Sequence, residues 1–215
     1  MTATSPKSVL PVQLYDVAND TGNAAELWSP ITEKNLADWE ADWIPTLHAQ
    51  LKVLHQSGVN RALWPQSRKW DWRDKKEAIG LSLANESFSI VAEGTTQAMM
   101  IIDLTKRARL QSQLLQHLVY VDFLEAAPWN RHDLQGGKPQ FTGAGSIMIG
   151  AAIELSHAQG FKGRIGLHSL PQSNSFYANA CGMADMGADP NYGNLRYFEM
   201  TPDAADDFMK KGKEQ

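Results

Sequence analysis

The chain has 215 residues, of which 43% are hydrophobic and 20% are charged, a composition typical of a globular protein with one sizeable core. Its formal net charge of −4 argues against nucleic acid or an anionic membrane as a partner and favours a small substrate or a protein. The single cysteine, Cys181, excludes an intrachain disulfide and a multi-cysteine metal site. With no signal peptide and no apolar stretch near the roughly 18 residues of a membrane span, the sequence predicts a cytoplasmic protein.

The N-terminal part of the chain predicts a strand and a long helix. Residues 1–9 are predicted as a loose tail, residues 10–17 as a strand, and residues 19–23 as a turn, because Asn, Asp and Gly cluster there. A helix with a kink at Pro45 is predicted next. Its apolar side chains recur at every third or fourth residue and form one stripe: Leu36, Trp39, Trp43, Leu47, Leu51 and Leu54.

The middle of the chain predicts a loop, a helix and three strands. Residues 64–72 are rich in aromatic and basic side chains and are predicted as a loop with a packed edge. Asp71 is expected to begin a helix that continues to about Ala84. Three apolar, β-branched runs follow between polar turns, a pattern typical of antiparallel strands: 87–93, 97–104 and 117–126.

The C-terminal part predicts alternating helices and strands. These are a helix over 143–159 ended by Gly160, a strand over 164–170, a short helix over 173–181, a strand over 194–200 and a helix from Pro202. The order of all elements predicts an α/β fold with a mixed, mostly antiparallel sheet and flanking helices. Because no repeat or linker divides the chain, residues 10–215 are predicted as a single domain.

A glycine-rich segment, Thr142-Gly143-Ala144-Gly145-Ser146, lies at the predicted start of the long helix. Glycines let the backbone approach a ligand closely, and the unpaired N–H groups of a first helical turn attract a negative group. The segment therefore favours the pyrophosphate of a nucleotide-like cofactor, although two glycines at a helix start also serve packing or capping. It lacks the Gly-Lys-Ser/Thr of a Walker loop and the third glycine of a dinucleotide fingerprint.

Gln140, Gly143 and Gly145 fill the pattern Gln-x-x-Gly-x-Gly, and on these residues the chain resembles the GNAT superfamily of acyl-CoA-dependent N-acetyltransferases. The predicted strand before the turn ends near Pro128, as the central cofactor-contacting strand of that superfamily typically does. The resemblance covers residues 118–200. It implies a sheet that is splayed between its two central strands, with acyl-CoA in the gap.

The resemblance also implies roles for particular residues. Acetyl-CoA is expected as the cosubstrate, with backbone N–H groups of the strand at Leu124 and Ala126 and the side chain of Asn174 as contacts. Tyr177, by resemblance to the family tyrosine, is expected to protonate the departing CoA thiolate. The pyrophosphate is expected to lie against the segment Gln140, Phe141, Thr142, Gly143, Ala144, Gly145 and Ser146.

Three departures from the family pattern concern this implied site. Residues 129–139 form a longer connection than the family usually has, and Gly136-Gly137 predicts a flexible lid over the cofactor. Tyr177 lies five residues before Gly182, where four is commoner, which displaces it by one helical position, about 100° on an ideal helix. The family's asparagine is not at its usual spacing, so Asn174 or Ser173 is expected to substitute for it.

A base is needed because an amine with a pKa of about 10 must lose a proton before it attacks a thioester. Glu125, near the end of the central strand, is the expected base, and partial burial is expected to raise its pKa. His168, across the splay, is the alternative base. No two histidines have the spacing of a helical metal site, so no metal is expected.

The predicted function is the transfer of an acetyl group from acetyl-CoA directly to a primary amine of a small molecule or a protein. An acyl-CoA-binding regulatory or interaction module that has lost its chemistry is an alternative, since the tyrosine is displaced. A toxin that acetylates the amine of a charged tRNA is a third, but it needs a basic docking surface that a net charge of −4 does not supply. The resemblance also allows a homodimer through the C-terminal strand.

Overall fold

The computed structural model describes residues 3–80, 82–132, 134 and 138–213. Nine strands occur within these residues: β1 Ser8–Asp16, β2 Thr21–Ser29, β3 Asn85–Ala92, β4 Thr95–Asp103, β5 Val119–Ala126, β6 Phe141–Thr142, β7 Ile165–Ser169, β8 Ala184–Asp189 and β9 Leu195–Met200. They join one sheet in the order β6-β1-β2-β3-β4-β5-β7-β9-β8. Antiparallel pairing joins β1 to β2 and β6, β2 to β3, and β9 to β7 and β8. β5 and β7 pair in parallel. The predicted mixed, mostly antiparallel sheet is confirmed.

The parallel pair of β5 and β7 has a short register. Within the described residues it covers three pairs, from Val119 opposite Ile165 to Val121 opposite Leu167. Both strands continue past that point, since β7 extends to Ser169 and β5 has eight residues. The described register of this parallel pair therefore ends before either strand does.

Five α-helices flank the sheet within the described residues: α1 Glu33–Asp38, α2 Ile44–Gln56, α3 Trp72–Ile79, α4 Ala144–Ala158 and α5 Pro202–Lys213. A π-helical turn, Trp39–Trp43, joins α1 to α2. Pro45 is the second residue of α2 and lies directly after this turn, and both a proline and a π-helical turn are places where helices bend. α3 ends before Gly80, which has a positive φ of 49°, and not at Ala84 as predicted.

Only the first half of the predicted apolar stripe is buried. Leu36, Trp39 and Trp43 are 0%, 7% and 2% exposed. The indole N–H of Trp43 also donates to the Thr96 carbonyl (2.9 Å), so this tryptophan is both packed and hydrogen-bonded. The three leucines on α2 are only half-buried: Leu47, Leu51 and Leu54.

The chain groups into two compact units. The first contains Met1–Leu83, Ser87–Met100 and Leu124–Gly145, and the second contains Ala84–Glu86, Ile101–Phe123 and Ser146–Gln215. Strands β3, β4 and β5 contribute residues to both units. The single domain over 10–215 stays a prediction.

The first unit is built on the hairpin of β1 and β2, two nine-residue strands that pair over their whole length. β1 begins at Ser8, and the Lys7 N–H donates to the Ser29 carbonyl (2.7 Å). The prediction of a loose tail is therefore wrong for residues 7–9. Fully buried side chains form the core of this unit: Leu14, Ile31, Leu36, Trp72 and Ile90.

The second unit packs the C-terminal half of the sheet with α4 and α5. Gly166 on β7 permits a close approach across the sheet, because a Cβ at this position would lie 2.6 Å from the hydroxyl of Tyr197. Gly150 on α4 lies beside the sulfur of Met209 on α5. Fully buried apolar side chains complete the core of this unit: Leu118, Val119, Ile149, Ile153, Ile165 and Phe198.

Three strands, β2, β6 and β8, were not predicted. The turn after β1 lies at residues 17–20, because Asp16 Oδ1 accepts the N–H groups of Ala18 (2.9 Å) and Asn19 (3.1 Å) and reverses the chain early. Residues 21–23, predicted as turn, therefore begin β2. β8 has an irregular register against β9, so its side chains do not alternate as those of a regular strand do.

Candidate active site

The glycine-rich turn joins β6 to α4. Phe141 and Thr142 form β6 and pair with the last residues of β1. Gly143 follows with a φ of +95°, a conformation that L side chains rarely adopt, and α4 begins at Ala144. The chain passes from strand to helix within one residue, and the backbone there favours glycine.

The first turn of α4 offers donors for an anion. First-turn N–H groups have no acceptor within their own helix, and the helix dipole places partial positive charge at this end. The turn contains no acidic residue, and Ser146 within it is exposed. Among the described residues, a Cβ added to Gly143 would meet no atom within 4 Å, so the space beside it is open. These properties suit a phosphate group.

Two donors that were predicted to contact the pyrophosphate are used inside the protein. The Gln140 N–H donates to the Trp129 carbonyl (3.0 Å), and the Phe141 N–H donates to Asn130 Oδ1 (2.9 Å). The Phe141 side chain is 1% exposed. A cofactor at this turn therefore relies on the N–H groups of the helix start and not on these two.

The same two hydrogen bonds close the long connection between Pro128 and Gln140 at its base. The end of β5 and the glycine-rich turn are therefore joined directly, although the connection between them is longer than the family pattern. The prediction of a lid rested on Gly136 and Gly137, and these two residues lie outside the described part of the chain.

Glu125 lies near the end of β5 and accepts from two donors. Trp72 Nε1 donates to its Oε2 (2.8 Å), and Arg131 Nη1 donates to its Oε1 (3.0 Å). The carboxylate and the guanidinium side chains are 9% and 10% exposed. Burial raises the pKa of Glu125, and the positive charge of Arg131 opposes that shift. The pKa of Glu125 thus shifts in the predicted direction, but both of its carboxylate oxygens already accept hydrogen bonds within the protein.

His168, on β7, lies between a tyrosine and a carboxylate. Its Nδ1 lies 2.6 Å from the hydroxyl oxygen of Tyr120, and its Nε2 lies 3.0 Å from Asp189 Oδ2. Tyr192 stacks on the imidazole with 3.8 Å between ring centroids. Burial lowers the pKa of His168, which favours the neutral ring. Because a carboxylate only accepts, Nε2 carries the proton and Nδ1 accepts from the Tyr120 hydroxyl.

Asp189 and a second carboxylate of the same unit, Glu199, are both strongly hydrogen-bonded. Hydrogen bonds from the Arg109 guanidinium and from His168 lower the pKa of Asp189 to about 2. Glu199 has no exposed surface, and it accepts from the N–H groups of Arg109 (2.7 Å) and Leu110 (3.0 Å), from Gln113 (2.7 Å) and from the Tyr197 hydroxyl (2.8 Å). The loop before β5 is therefore attached to β9 through one buried charge.

Tyr177 lies in a π-helical turn, Phe176–Ala180. The Cys181 N–H donates to the Phe176 carbonyl (3.0 Å), five residues back, so the turn holds one residue more than an α-helical turn. The Tyr177 ring is 7% exposed and packs near Phe176 and Phe198, with 5.1 and 6.0 Å between ring centroids. Burial raises the pKa of its hydroxyl, which stays protonated at neutral pH.

The side chain of Asn174 carries a buried acceptor. Its Oδ1 is buried and lacks a hydrogen-bond partner among the described residues. An unpaired buried acceptor is costly, so a donor from a bound molecule would be stabilising there. Cys181, in contrast, is 2% exposed, and burial raises the pKa of its thiol to about 12, so the reactive thiolate is not formed at neutral pH.

The predicted site residues fall in both units. The first unit contains Leu124, Glu125, Ala126 and the segment from Gln140 to Gly145, and the second contains Ser146, His168, Asn174 and Tyr177. Leu124 and Ala126 are half-buried on β5. The structure brings His168 together with Tyr120 and Asp189, and it joins Asn130 to the glycine-rich segment.

Three of these partners were missed by the sequence analysis: Tyr120, Asn130 and Asp189. Gln97, whose Oε1 accepts from Asn130 Nδ2 (2.8 Å), was missed as well. Two of these residues are unusual for their place in the sequence. Gln97 is the only amide within the apolar run of β4, and Asp189 directly precedes a proline. Such a signal marks a polar residue as unusual, but it does not name the residue that it contacts.

The described residues contain no group of three or more His, Cys, Asp or Glu side chains that is arranged to hold a metal ion. None of the helices they form has the length and apolar content needed to cross a bilayer.

No protein-family model matches the sequence, and no curated protein matches it. Solved structures match its fold. RimJ from Mycobacterium smegmatis, in complex with CoA-disulfide, matches with a TM-score of 0.50 and 15% identity over 99% of this chain and 98% of that one. An uncharacterized protein from Bacillus halodurans matches with a TM-score of 0.50 and 10% identity over 96% and 95%. The PaiA N-acetyltransferase from Thermoplasma acidophilum, in complex with coenzyme A, matches with a TM-score of 0.49 and 13% identity over 82% and 98%.

The similarity to RimJ extends over nearly the whole of both chains. The chain therefore has the fold of the GNAT acetyltransferases, as the Gln-x-x-Gly-x-Gly resemblance predicted.

Proposed function

We propose that this chain is an acyl-CoA-dependent N-acetyltransferase that transfers an acetyl group from acetyl-CoA directly to a primary amine. The observation that carries the proposal is the start of α4. Gly143, at φ +95° and with no described atom within 4 Å of an added Cβ, leads into a helix whose first turn contains no acidic residue. An anion is favoured at such a helix start. In a chain with the GNAT fold, the pyrophosphate of acyl-CoA is the anion that this position suits.

The cofactor contacts that we propose follow from these donors and acceptors. The N–H groups from Gly143 to Ser146 hold the pyrophosphate, and the buried Oδ1 of Asn174 accepts from an amide N–H of the pantetheine arm. Backbone N–H groups near Leu124 and Ala126 stabilise the carbonyl oxygen of the thioester as it gains negative charge. The RimJ structure contains CoA-disulfide, which supports a CoA derivative as the ligand of this fold.

For the base we favour His168 over Glu125. Neutral His168 has an acceptor nitrogen, Nδ1, that faces the Tyr120 hydroxyl, and its Nε2–H is oriented by Asp189. A proton taken from the amine reaches Nδ1 through that hydroxyl or through water, and the Asp189 carboxylate stabilises the imidazolium that forms. Glu125 is instead held between Trp72 and Arg131, where its charge anchors the strand end.

For the acid we propose Tyr177, whose hydroxyl stays protonated because burial raises its pKa. The π-helical turn supports this role. Its one extra residue accounts for the spacing of five to Gly182, so the residues on either side of the turn keep their usual phase. The spacing of five residues from Tyr177 to Gly182 is therefore no argument for the alternative function, an acyl-CoA-binding module without catalytic activity.

Other properties follow from the same proposal. The acceptor is a primary amine of a small molecule or of a protein, and the protein acts in the cytoplasm, with a homodimer as the proposed assembly. The net charge of −4 does not favour the tRNA-directed alternative.

Titration calorimetry with acetyl-CoA, followed by turnover assays against a panel of amines, tests the proposed function. We expect a single site per chain and CoA release that depends on an amine. Binding without turnover of any amine would support the regulatory module, and no binding of acetyl-CoA would overturn the proposal.

A further inference from the structure

The connection between β5 and the glycine-rich turn is held together at a neck formed by Trp129, Asn130, Gln140 and Phe141. The Gln140 N–H donates to the Trp129 carbonyl (3.0 Å), and the Phe141 N–H donates to Asn130 Oδ1 (2.9 Å). The first bond joins two backbone groups, which any residues provide. The second requires a side-chain acceptor at position 130, and Asn130 is 8% exposed.

Gln97 on β4 fixes the orientation of Asn130. Its Oε1 accepts from Asn130 Nδ2 (2.8 Å) and from Trp129 Nε1 (2.8 Å). Its own backbone carbonyl accepts from the Ala127 N–H (2.8 Å). Gln97 is 2% exposed, and its Nε2 faces the carbonyls of Ala92 (3.4 Å) and Thr95 (3.2 Å).

This chain of hydrogen bonds has one direction. Because Trp129 Nε1 only donates, the group of Gln97 that faces it must be the oxygen. Asn130 must then present its amide nitrogen to that oxygen, which leaves Oδ1 for the Phe141 N–H. Reversing either amide would place two donors against each other, so each amide specifies the next.

The neck lies directly before the start of α4. Phe141 is the first residue of β6, and Gly143 and the helix start follow within three residues. Both amides are neutral, so they hold the turn without adding a negative charge next to a site that favours an anion.

We propose that Gln97 and Asn130 are positioning residues for the cofactor-binding turn, which they align through the Phe141 N–H. This inference rests on the proposed function, because it concerns the same turn. It explains how the chain accommodates a connection longer than the family pattern, since the neck and not the connection length determines where the turn lies.

The variant Asn130→Asp tests the inference. It keeps the shape and the acceptor for Phe141, but it removes the donor to Gln97 and adds a negative charge. We expect acetyl-CoA to bind about tenfold more weakly at pH 8. Affinity should recover relative to wild type as the pH falls, because the protonated carboxyl of this variant again offers one donor and one acceptor.

Asn35→Asp is the matched control. Asn35 is fully buried in the same unit, accepts from Thr32 and donates to Thr96, and has no hydrogen bond to the turn. We expect this variant to be destabilised with unchanged acetyl-CoA affinity. Both variants and the wild type are compared by titration calorimetry at several pH values after thermal unfolding has shown that each is folded.

Where Asn130→Asp does not fold, Gln97→Met provides the second variant, since it keeps the length of the side chain and removes the acceptor. Faster hydrogen exchange at the Phe141 amide is expected in Gln97→Met without any cofactor, because Asn130 loses the partner that orients it. Folded variants that match the wild type in acetyl-CoA affinity and in Phe141 exchange would overturn the inference. Failure of the wild type itself to bind acetyl-CoA would instead refute the proposed function.

Discussion

Replacing Gly143 by alanine gives the most direct test of the proposed cofactor site. Its φ of +95° lies in a region that an alanine occupies at a cost of about 1–2 kcal/mol. Among the described residues, no atom lies within 4 Å of the Cβ that Gly143→Ala would add, so a steric clash contributes nothing to this cost. Backbone strain alone therefore determines the effect on stability.

The variant has two ways to respond. If φ stays positive, the protein loses about 1–2 kcal/mol of unfolding free energy, which for a chain of this size lowers Tm by roughly 2–4 °C per kcal/mol. If φ relaxes to a negative value, the peptide planes at the start of α4 rotate and the first-turn N–H groups turn away from the anion. In either case the added methyl group occupies the open space beside the turn, and we expect acetyl-CoA affinity to fall about tenfold or more.

Gly94→Ala is the matched control. Gly94 has a φ of +74° in the hairpin between β3 and β4, and there too a Cβ would meet no atom within 4 Å among the described residues. The two variants should lose similar stability in thermal unfolding, but only Gly143→Ala should lose acetyl-CoA affinity in calorimetry. If both kept wild-type affinity despite their lower Tm, the placement of the pyrophosphate at the start of α4 would be refuted.

Further predictions concern the proposed chemistry and the titrating groups. Tyr177→Phe removes only a hydroxyl, so kcat with a saturating amine should fall by about tenfold or more while acetyl-CoA affinity stays close to wild type; an unchanged kcat would exclude Tyr177 as the acid. Because burial lowers the pKa of His168, the acid limb of kcat/KM should lie below pH 6.5, and His168→Gln should remove that limb whereas Glu125→Gln should keep it. The reverse result would restore Glu125 as the base. The pKa of Asp189 is lowered to about 2, so its contribution to stability is present above its unfolded pKa of about 3.9 and is lost as the pH falls toward 2. In urea unfolding over this pH range, the wild type should lose more unfolding free energy than Asp189→Asn. Equal losses of unfolding free energy in the two proteins would contradict this role of Asp189. Cys181, with a pKa of about 12, should resist alkylation by iodoacetamide at pH 8 in the folded protein, and rapid labelling would show that the thiol is accessible.

The fold was largely predictable because its signals are local. The β-rich runs, the helix before Gly160 and the glycine-rich helix start all depend on residues within a few positions of each other. Where local signals were misread, the reason is visible in the structure. The Asn-Gly-rich stretch after β1 was assigned to a turn, but Asp16 closes that turn earlier, and the pairing of β2 with β1 and β3 outweighs its turn composition.

The candidate site was predictable only where it depends on backbone conformation. The positive φ at Gly143 and the start of α4 follow from residue types in sequence. The role first assigned to Glu125 depended on its surroundings, which the sequence did not specify. Its carboxylate is bound by Trp72, 53 residues earlier in the chain, and by Arg131.

The sequence by itself determined which residues form the glycine-rich helix start and the order of elements around it, because short-range sterics and hydrogen bonding decide these features. Tertiary structure alone decided which polar side chains meet. His168 and Tyr120 are 48 residues apart, and Gln97 and Asn130 are 33 apart. A hydrogen bond needs its donor and acceptor within about 3 Å, and for distant residues that distance is set by strand register and loop closure across the whole fold, not by the residues themselves.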